Sequence, residues 1–306
     1  MIKNLFLYVV TVLIWGSTWL GIKFQLGSVD PLVSVIYRFC LATAILFAWC
    51  ALRGLGMRFR LRDHLFIALQ GASLFAVNYW LFYMAEVHLT SGVVAVMFST
   101  IVFWNILNGR IFLRTAVRAH VVAGAVLGIM GIGLVFWPEL SGFSLDDAGF
   151  KGFLLSMAAT LMASLGNILS ARNQRHGLPV VQTNAYGMAY GTLLMLGTAI
   201  VAGKSFGIDA SAPYLISLVY LALFGSVIAF GCYLTLVGRI GADRAAYATL
   251  LFPIIALIIS TLFEGYRWTP QAIAGVSTIL AGNAIALGKI DLLGIRTRPA
   301  VSLGRR

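Results

Sequence analysis

Apolar stretches of about 20 residues alternate with short polar connectors along the whole chain. A helix rises about 1.5 Å per residue, so each stretch can span the ~30 Å hydrocarbon core of a bilayer. The pattern predicts ten such helices, at Leu5–Ile22, Leu32–Leu52, Leu65–Ala85, Gly92–Phe112, Ala119–Trp137, Gly152–Ala171, Thr183–Ala202, Tyr214–Val237, Ala245–Phe263 and Gln271–Gly288. The connectors are about 6 to 14 residues long, too short to hold a soluble domain. The first stretch carries Trp15 and Trp19 and has no small-residue cleavage site, so it is read as a retained helix, not a signal peptide. The expected class is an all-α integral membrane protein.

Composition agrees. Of 306 residues, 60% are hydrophobic and 10% charged, where a soluble domain carries about 25% charged residues. So much apolar material also excludes a disordered chain. The net charge of +12 gains its meaning only from placement. Seventeen Lys and Arg fall on the side of the N-terminus, among them Arg53, Arg58, Arg60, Arg62, Arg172, Arg239 and the tail from Arg296 to Arg306; the other side holds four, Lys23, Lys151, Lys204 and Arg267. This is the positive-inside bias, which predicts both termini in the cytoplasm and an even number of spans. Nucleic acid is not an expected partner. Cys40, Cys50 and Cys232 all sit in apolar runs, with neither disulfide nor metal-ligand spacing.

The chain resembles itself at an offset near 150. Asp30-Pro31 matches Leu178-Pro179, Phe82-Tyr83 matches Cys232-Tyr233, and Gly124 and Gly131 match Gly275 and Gly282. Five spans per unit is an odd number, so the second unit must enter the membrane inverted. Inverted repeats are a transporter architecture, with the solute site near the midplane between the halves. The expected division is residues 1–138 and 139–290 as the repeats and 291–306 as a basic cytoplasmic tail.

Trp15-Gly16-Ser17-Thr18-Trp19 in the first helix, Arg38 early in the second, and Pro253 followed by Phe263-Glu264 in the ninth resemble the drug/metabolite transporter superfamily. Within it the chain is similar to the ten-helix EamA-type exporters, including the YddG branch of amino-acid exporters. Many members carry a Gly-Glu pair at the end of helix four, where this chain reads Asn108-Gly109-Arg110. The resemblance implies export of small metabolites, amino acids first, with a monomer sufficient and membrane lipids as the surroundings.

Polar groups inside hydrocarbon are costly and mark candidate pathways. Thr11, Trp15 and Thr18 form one helical stripe, with Trp19 beside it; Thr160, Ser164 and Asn167 form another in the matching helix of the second repeat. Asn78, Tyr79, Tyr83, Met97, Thr100, Trp104, Tyr233, Tyr247 and Thr249 complete the expected substrate-lining set, an aromatic wall with a few hydroxyl and amide groups. The competing reading of each is ordinary helix packing.

Structural or gating roles are expected for Arg38, Glu86, Pro253 and Glu264. Arg38 would snorkel outward or pair with Glu86. Pro253 would kink its helix by removing the bond to the Thr249 carbonyl. Gly124 to Gly128 and Gly187 to Gly191 have the spacing of close helix contacts. No Asp, Glu or His falls deep in a predicted span, so transport is expected to be facilitated diffusion or to use shallow proton carriers. No cofactor or metal is expected. The alternatives are an exporter of other metabolites or drugs, and a polytopic membrane enzyme, which would need a convergent set of catalytic groups that the sequence does not offer.

Overall fold

A computed structural model describes residues 2–114, 119–135, 148–240, 245 and 248–286. The expected residue Tyr247 and the tail 291–306 lie outside the described residues. Helices, labelled here in chain order, are α1 (Ile2–Lys23), α2 (Pro31–Leu52), α3 (Leu61–Glu86), α4 (Ser91–Leu113), α5 (Ala119–Val135), α6 (Ala148–Arg175) and α7 (Val180–Val201). They continue with α8 (residues 212–240), α9 (Ala248–Phe263) and α10 (Pro270–Ala286). The described residues contain no strand. Six of these helices are long and apolar enough to cross a membrane, α1 to α4, α6 and α8. Large apolar side chains such as Leu13, Ile129, Leu193 and Ile258 stand exposed on the outside, the surface that lipid, not water, would cover.

Local signals start and stop the helices. Asp30 caps α2 by accepting the Leu32 N–H at 2.9 Å, with Pro31 in the first turn where a missing N–H costs nothing. Gly54, at φ 60°, ends it.

Side-chain ties show which helix ends lie together. On one side, Lys23 at the end of α1 donates to the carbonyls of Glu86 (2.5 Å) and Leu89 (3.1 Å), and Lys204 pairs with Asp30 at 2.7 Å. Gly152, at the start of α6, packs on His88 and Leu89 on that same side. On the other, Arg172 at the end of α6 faces Asp63 at 3.8 Å, and Arg239 reaches Asn4 at 3.4 Å. So α6 begins on the side where α1 ends, and the second half is inverted relative to the first.

The symmetry extends to details that hydropathy does not carry. Both α3 and α8 widen into π-helical segments, Gly71–Val77 and Leu221–Ile228, at equivalent positions of the two halves. Each packs on the second helix of the other half, the first on α7 and the second on α2. A Cβ on Gly191 would come within 2.8 Å of the Gly71 carbonyl oxygen, so these backbones touch. Along α5 and α10, Gly131 meets Gly275 and Gly124 meets Gly282 in the same way.

Candidate functional site

Between the halves lies a cavity of about 40 Å³. Helix α1 lines it with Trp15, Thr18, Trp19 and Ile22, α2 with Arg38, and α3 with Leu74, Asn78, Tyr79 and Phe82. The remaining wall comes from Phe98 and Ile101 of α4, Ala163 and Asn167 of α6, Phe230 and Tyr233 of α8, and Thr249 and Phe252 of α9. The volume holds about two or three waters. A solute of amino-acid size therefore enters only when the walls part.

The wall is largely a set of interlocked rings. Trp15 lies 4.9 Å from Tyr233 and 5.1 Å from Phe230, centroid to centroid, and Trp19 lies 5.2 Å from Phe82 and 6.2 Å from Phe252. Edge-to-face, tilted and stacked pairs at these distances are favourable and fix the rings in place. Polar groups interrupt them at a few points. The Trp19 indole N–H and the Asn78 Oδ1 are buried and have no hydrogen-bond partner, a cost that a protein interior ordinarily avoids.

Arg38 is 1% exposed. Its Nε donates to Ser226 Oγ at 3.0 Å, its Nη1 reaches the Tyr83 hydroxyl at 3.5 Å, and its guanidinium lies 4.5 Å over the Tyr79 ring. Tyr83 in turn donates to Gln25 Oε1 at 2.6 Å. The expected alternatives, snorkelling and an ion pair with Glu86, are both replaced by this inward arrangement. The reason is the π-helical segment of α8. Ser226 donates to the Leu221 carbonyl five residues back, which turns its oxygen toward Arg38, and the Gly225 carbonyl accepts from the Trp15 indole at 3.3 Å. Gly225 also has no side chain to fill the space that Thr18 and Arg38 Nη2 occupy.

Of the residues singled out from sequence, Trp15, Thr18, Trp19, Asn78, Tyr79, Asn167, Tyr233 and Thr249 line the cavity. Tyr83 stands behind Arg38. Met97 and Thr100 lie at a break in α4, where the hydroxyls of Ser99 and Thr100 bond back to Val96 and Met97 and Asn283 of α10 donates to the Ser99 carbonyl. Ser164 accepts from Asn108 at 2.9 Å, tying α6 to α4. Trp104 is half-buried in α4 and is not part of the lining. Thr11 and Thr160 turn their hydroxyls back on their own helices. Ile22, Leu74, Phe82, Phe98, Ile101, Ala163, Phe230 and Phe252 line the cavity without having been singled out, because a search for polar groups in apolar runs passes over apolar wall.

Around the Lys23 end, Glu264 accepts from the Ser91 N–H and hydroxyl at the start of α4 and pairs with Lys23 at 3.9 Å. Glu86 is terminal on α3 yet fully buried, with both carboxyl oxygens lacking partners. Pro253 is buried within α9 one turn from Thr249, where Gly16 of α1 packs closely on Phe252 and Ile255.

The model of the EamA-like transporter family matches the chain twice, over residues 2–137 and 150–288. The chain belongs to that family. Relatives of this EamA-like chain include a "Probable amino-acid metabolite efflux pump" of Escherichia coli (strain K12), 25% identical over 99% of each protein. Another is the "Uncharacterized inner membrane transporter YedA" of the same organism, 30% identical over 83% of this chain and 80% of the relative. A solved crystal structure shares the fold, with a TM-score of 0.68 at 17% identity, covering 92% of this chain and 96% of the other. As an EamA-like transporter the chain has a small solute as its partner, and the cavity is lined from both family segments and includes unpartnered polar groups.

Proposed function

We propose that the protein exports small amphipathic metabolites, hydrophobic and aromatic amino acids among them, across the bacterial inner membrane by alternating access of its two halves. The observation that carries this reading is the cavity itself, walled by rings from both halves, with Arg38, Asn78 and Trp19 among its polar points. Its present size fits a contracted state between two open ones, as an inverted repeat requires. The efflux-pump name of the Escherichia coli relative supports the amino-acid assignment and the outward direction. Residues 1–138 and 139–290 serve as the rocking units, and the basic tail 291–306 lies with both termini in the cytoplasm, in keeping with the charge asymmetry. Both halves that wall the cavity belong to one chain, and a monomer is the proposed working unit.

The test is uptake and counterflow of labelled amino acids by liposomes carrying the purified protein, with and without a pH gradient. Saturable counterflow of phenylalanine or leucine is expected. If no amino acid moves, the substrate assignment fails; accumulation that needs the gradient would show proton coupling in place of facilitated diffusion.

A further inference from the structure

We infer that Arg38 is the anchor for a carboxylate on the transported solute, which makes that solute a small carboxylate with an apolar or aromatic body. The inference rests on the transport reading above and narrows it. Arg38 is a permanent cation, wholly buried, and the ion pairs among the described residues do not include it. Glu86, buried at the end of α3, makes neither a hydrogen bond nor an ion pair with it, and Glu264 is engaged by Ser91 and Lys23. Ser226 and Tyr83, its hydrogen-bond partners, are neutral. A cation in the membrane interior with no carboxylate in direct contact is costly. It is accounted for if the counter-ion arrives with the solute.

Geometry agrees with that role. Nε and Nη1 are used to hold the guanidinium, while Nη2 makes no hydrogen bond to the described residues, and Arg38 lines the cavity. Stacking over Tyr79 fixes the plane of the fork, and a fixed guanidinium fork suits a carboxylate. The unpartnered Trp19 indole N–H, on the same cavity wall, is a second donor. The only unpartnered acceptor among the buried lining groups of the described residues is Asn78 Oδ1, which can take the ammonium of an amino acid. A deaminated acid would lose that one contact and keep the carboxylate anchor. An amide or an amine would lose the anchor itself.

The experiment is counterflow of labelled phenylalanine in liposomes carrying the wild-type protein, challenged with unlabelled phenylalanine, phenylpropionate, phenylalaninamide and phenethylamine. The two carboxylates should compete, and the amide and amine should compete at least about tenfold more weakly, as expected when a buried polar partner is left unpaired. Competition by the amide or amine equal to that of phenylalanine overturns the inference. In parallel, Arg38→Gln should raise the apparent KM for phenylalanine by about tenfold or more, with Arg38→Lys restoring part of it. An unchanged KM in Arg38→Gln also overturns the inference. Should Arg38→Gln fail to fold, the wild-type competition series decides alone. Should the wild type move no phenylalanine, the transport reading fails, and the four compounds are titrated against intrinsic tryptophan fluorescence. Quenching by both carboxylates would uphold the anchor; no response, or equal response to all four, would overturn it.

Discussion

Gly131 and Gly275 meet backbone to backbone across the two halves: a Cβ on either would lie 2.7 Å from the carbonyl oxygen of the other. Gly124 and Gly282 repeat the contact further along the same pair, with a Cβ on Gly282 lying 2.7 Å from the Gly124 carbonyl oxygen. Rising numbers on α5 meet falling numbers on α10, so the helices are antiparallel. Since Gly124 corresponds to Gly275 and Gly131 to Gly282 in the repeat, the two contacts are one contact related by a two-fold axis. Neither helix lines the cavity; together they brace the halves.

Gly275→Leu should accordingly cost at least about 1–3 kcal/mol, the usual range for overpacking, and lower the midpoint of thermal unfolding in detergent. Gly197→Ala, where a Cβ meets nothing within 4 Å, should leave the midpoint unchanged or raise it slightly. Equal midpoints for Gly275→Leu and wild type would remove the brace.

Gly225→Ala tests the clearance in the π-helical segment. Its Cβ would lie 2.9 Å from Thr18 Cγ2 and 3.1 Å from Arg38 Nη2. One of them must shift, and both line the cavity. Transport should fall by about tenfold, equivalent to roughly 1.4 kcal/mol, with near-normal expression. Normal kinetics would mean that the Arg38 position is uncritical.

Trp15, Tyr79 and Tyr83 should separate into two behaviours. Trp15→Ala and Tyr79→Ala open the wall and are expected to change the order of preference among leucine, phenylalanine and tryptophan. Tyr83→Phe removes only the hydroxyl between Arg38 and Gln25, so it should weaken all three solutes alike. Competition assays on the three variants read the difference, and a shifted preference in Tyr83→Phe would place its ring in the wall.

The symmetry was legible in the sequence because its determinants admit no substitute. Only glycine allows the backbone contacts at Gly131 and Gly275, and cations such as Lys23 and Arg172 sort to opposite faces by the cost of crossing the membrane. The π-helical segments were not legible, since Leu221–Ile228 carries no residue type that demands a wider turn; packing against α2 sets it. Arg38 was expected near its helix end for the same reason: position along a helix gives depth, but the Ser226 acceptor that draws it inward depends on that wider turn. Helical spacing likewise gives a face and not a partner, so Ser164 and Thr100 turned out to tie helices and turns together, while Phe230 and Phe252, with no polar atom to mark them, form the wall.

Glu264→Gln tests the gating role proposed for the cluster at the Lys23 end. The carboxylate engages Ser91 and Lys23 at once, and hydrogen bonds to a charged group contribute about 1.5–3 kcal/mol each. With a cysteine at Ile22 in a cysteine-free background, a membrane-impermeant thiol reagent added on the side proposed to be external should react faster once Glu264 is replaced. Equal rates would mean that this cluster does not hold the gate.

Alternating access through this protein requires the solute to occupy the cavity between the halves. The most direct measurement replaces Ala163, a small lining residue of α6, with cysteine in a cysteine-free, transport-competent protein and follows its conversion to a mixed disulfide by a small methanethiosulfonate reagent, with release of methanesulfinate. Phenylalanine at saturating counterflow concentration should slow the reaction several-fold, and phenethylamine should not. Labelling that proceeds at the same rate while phenylalanine is being transported would contradict the account.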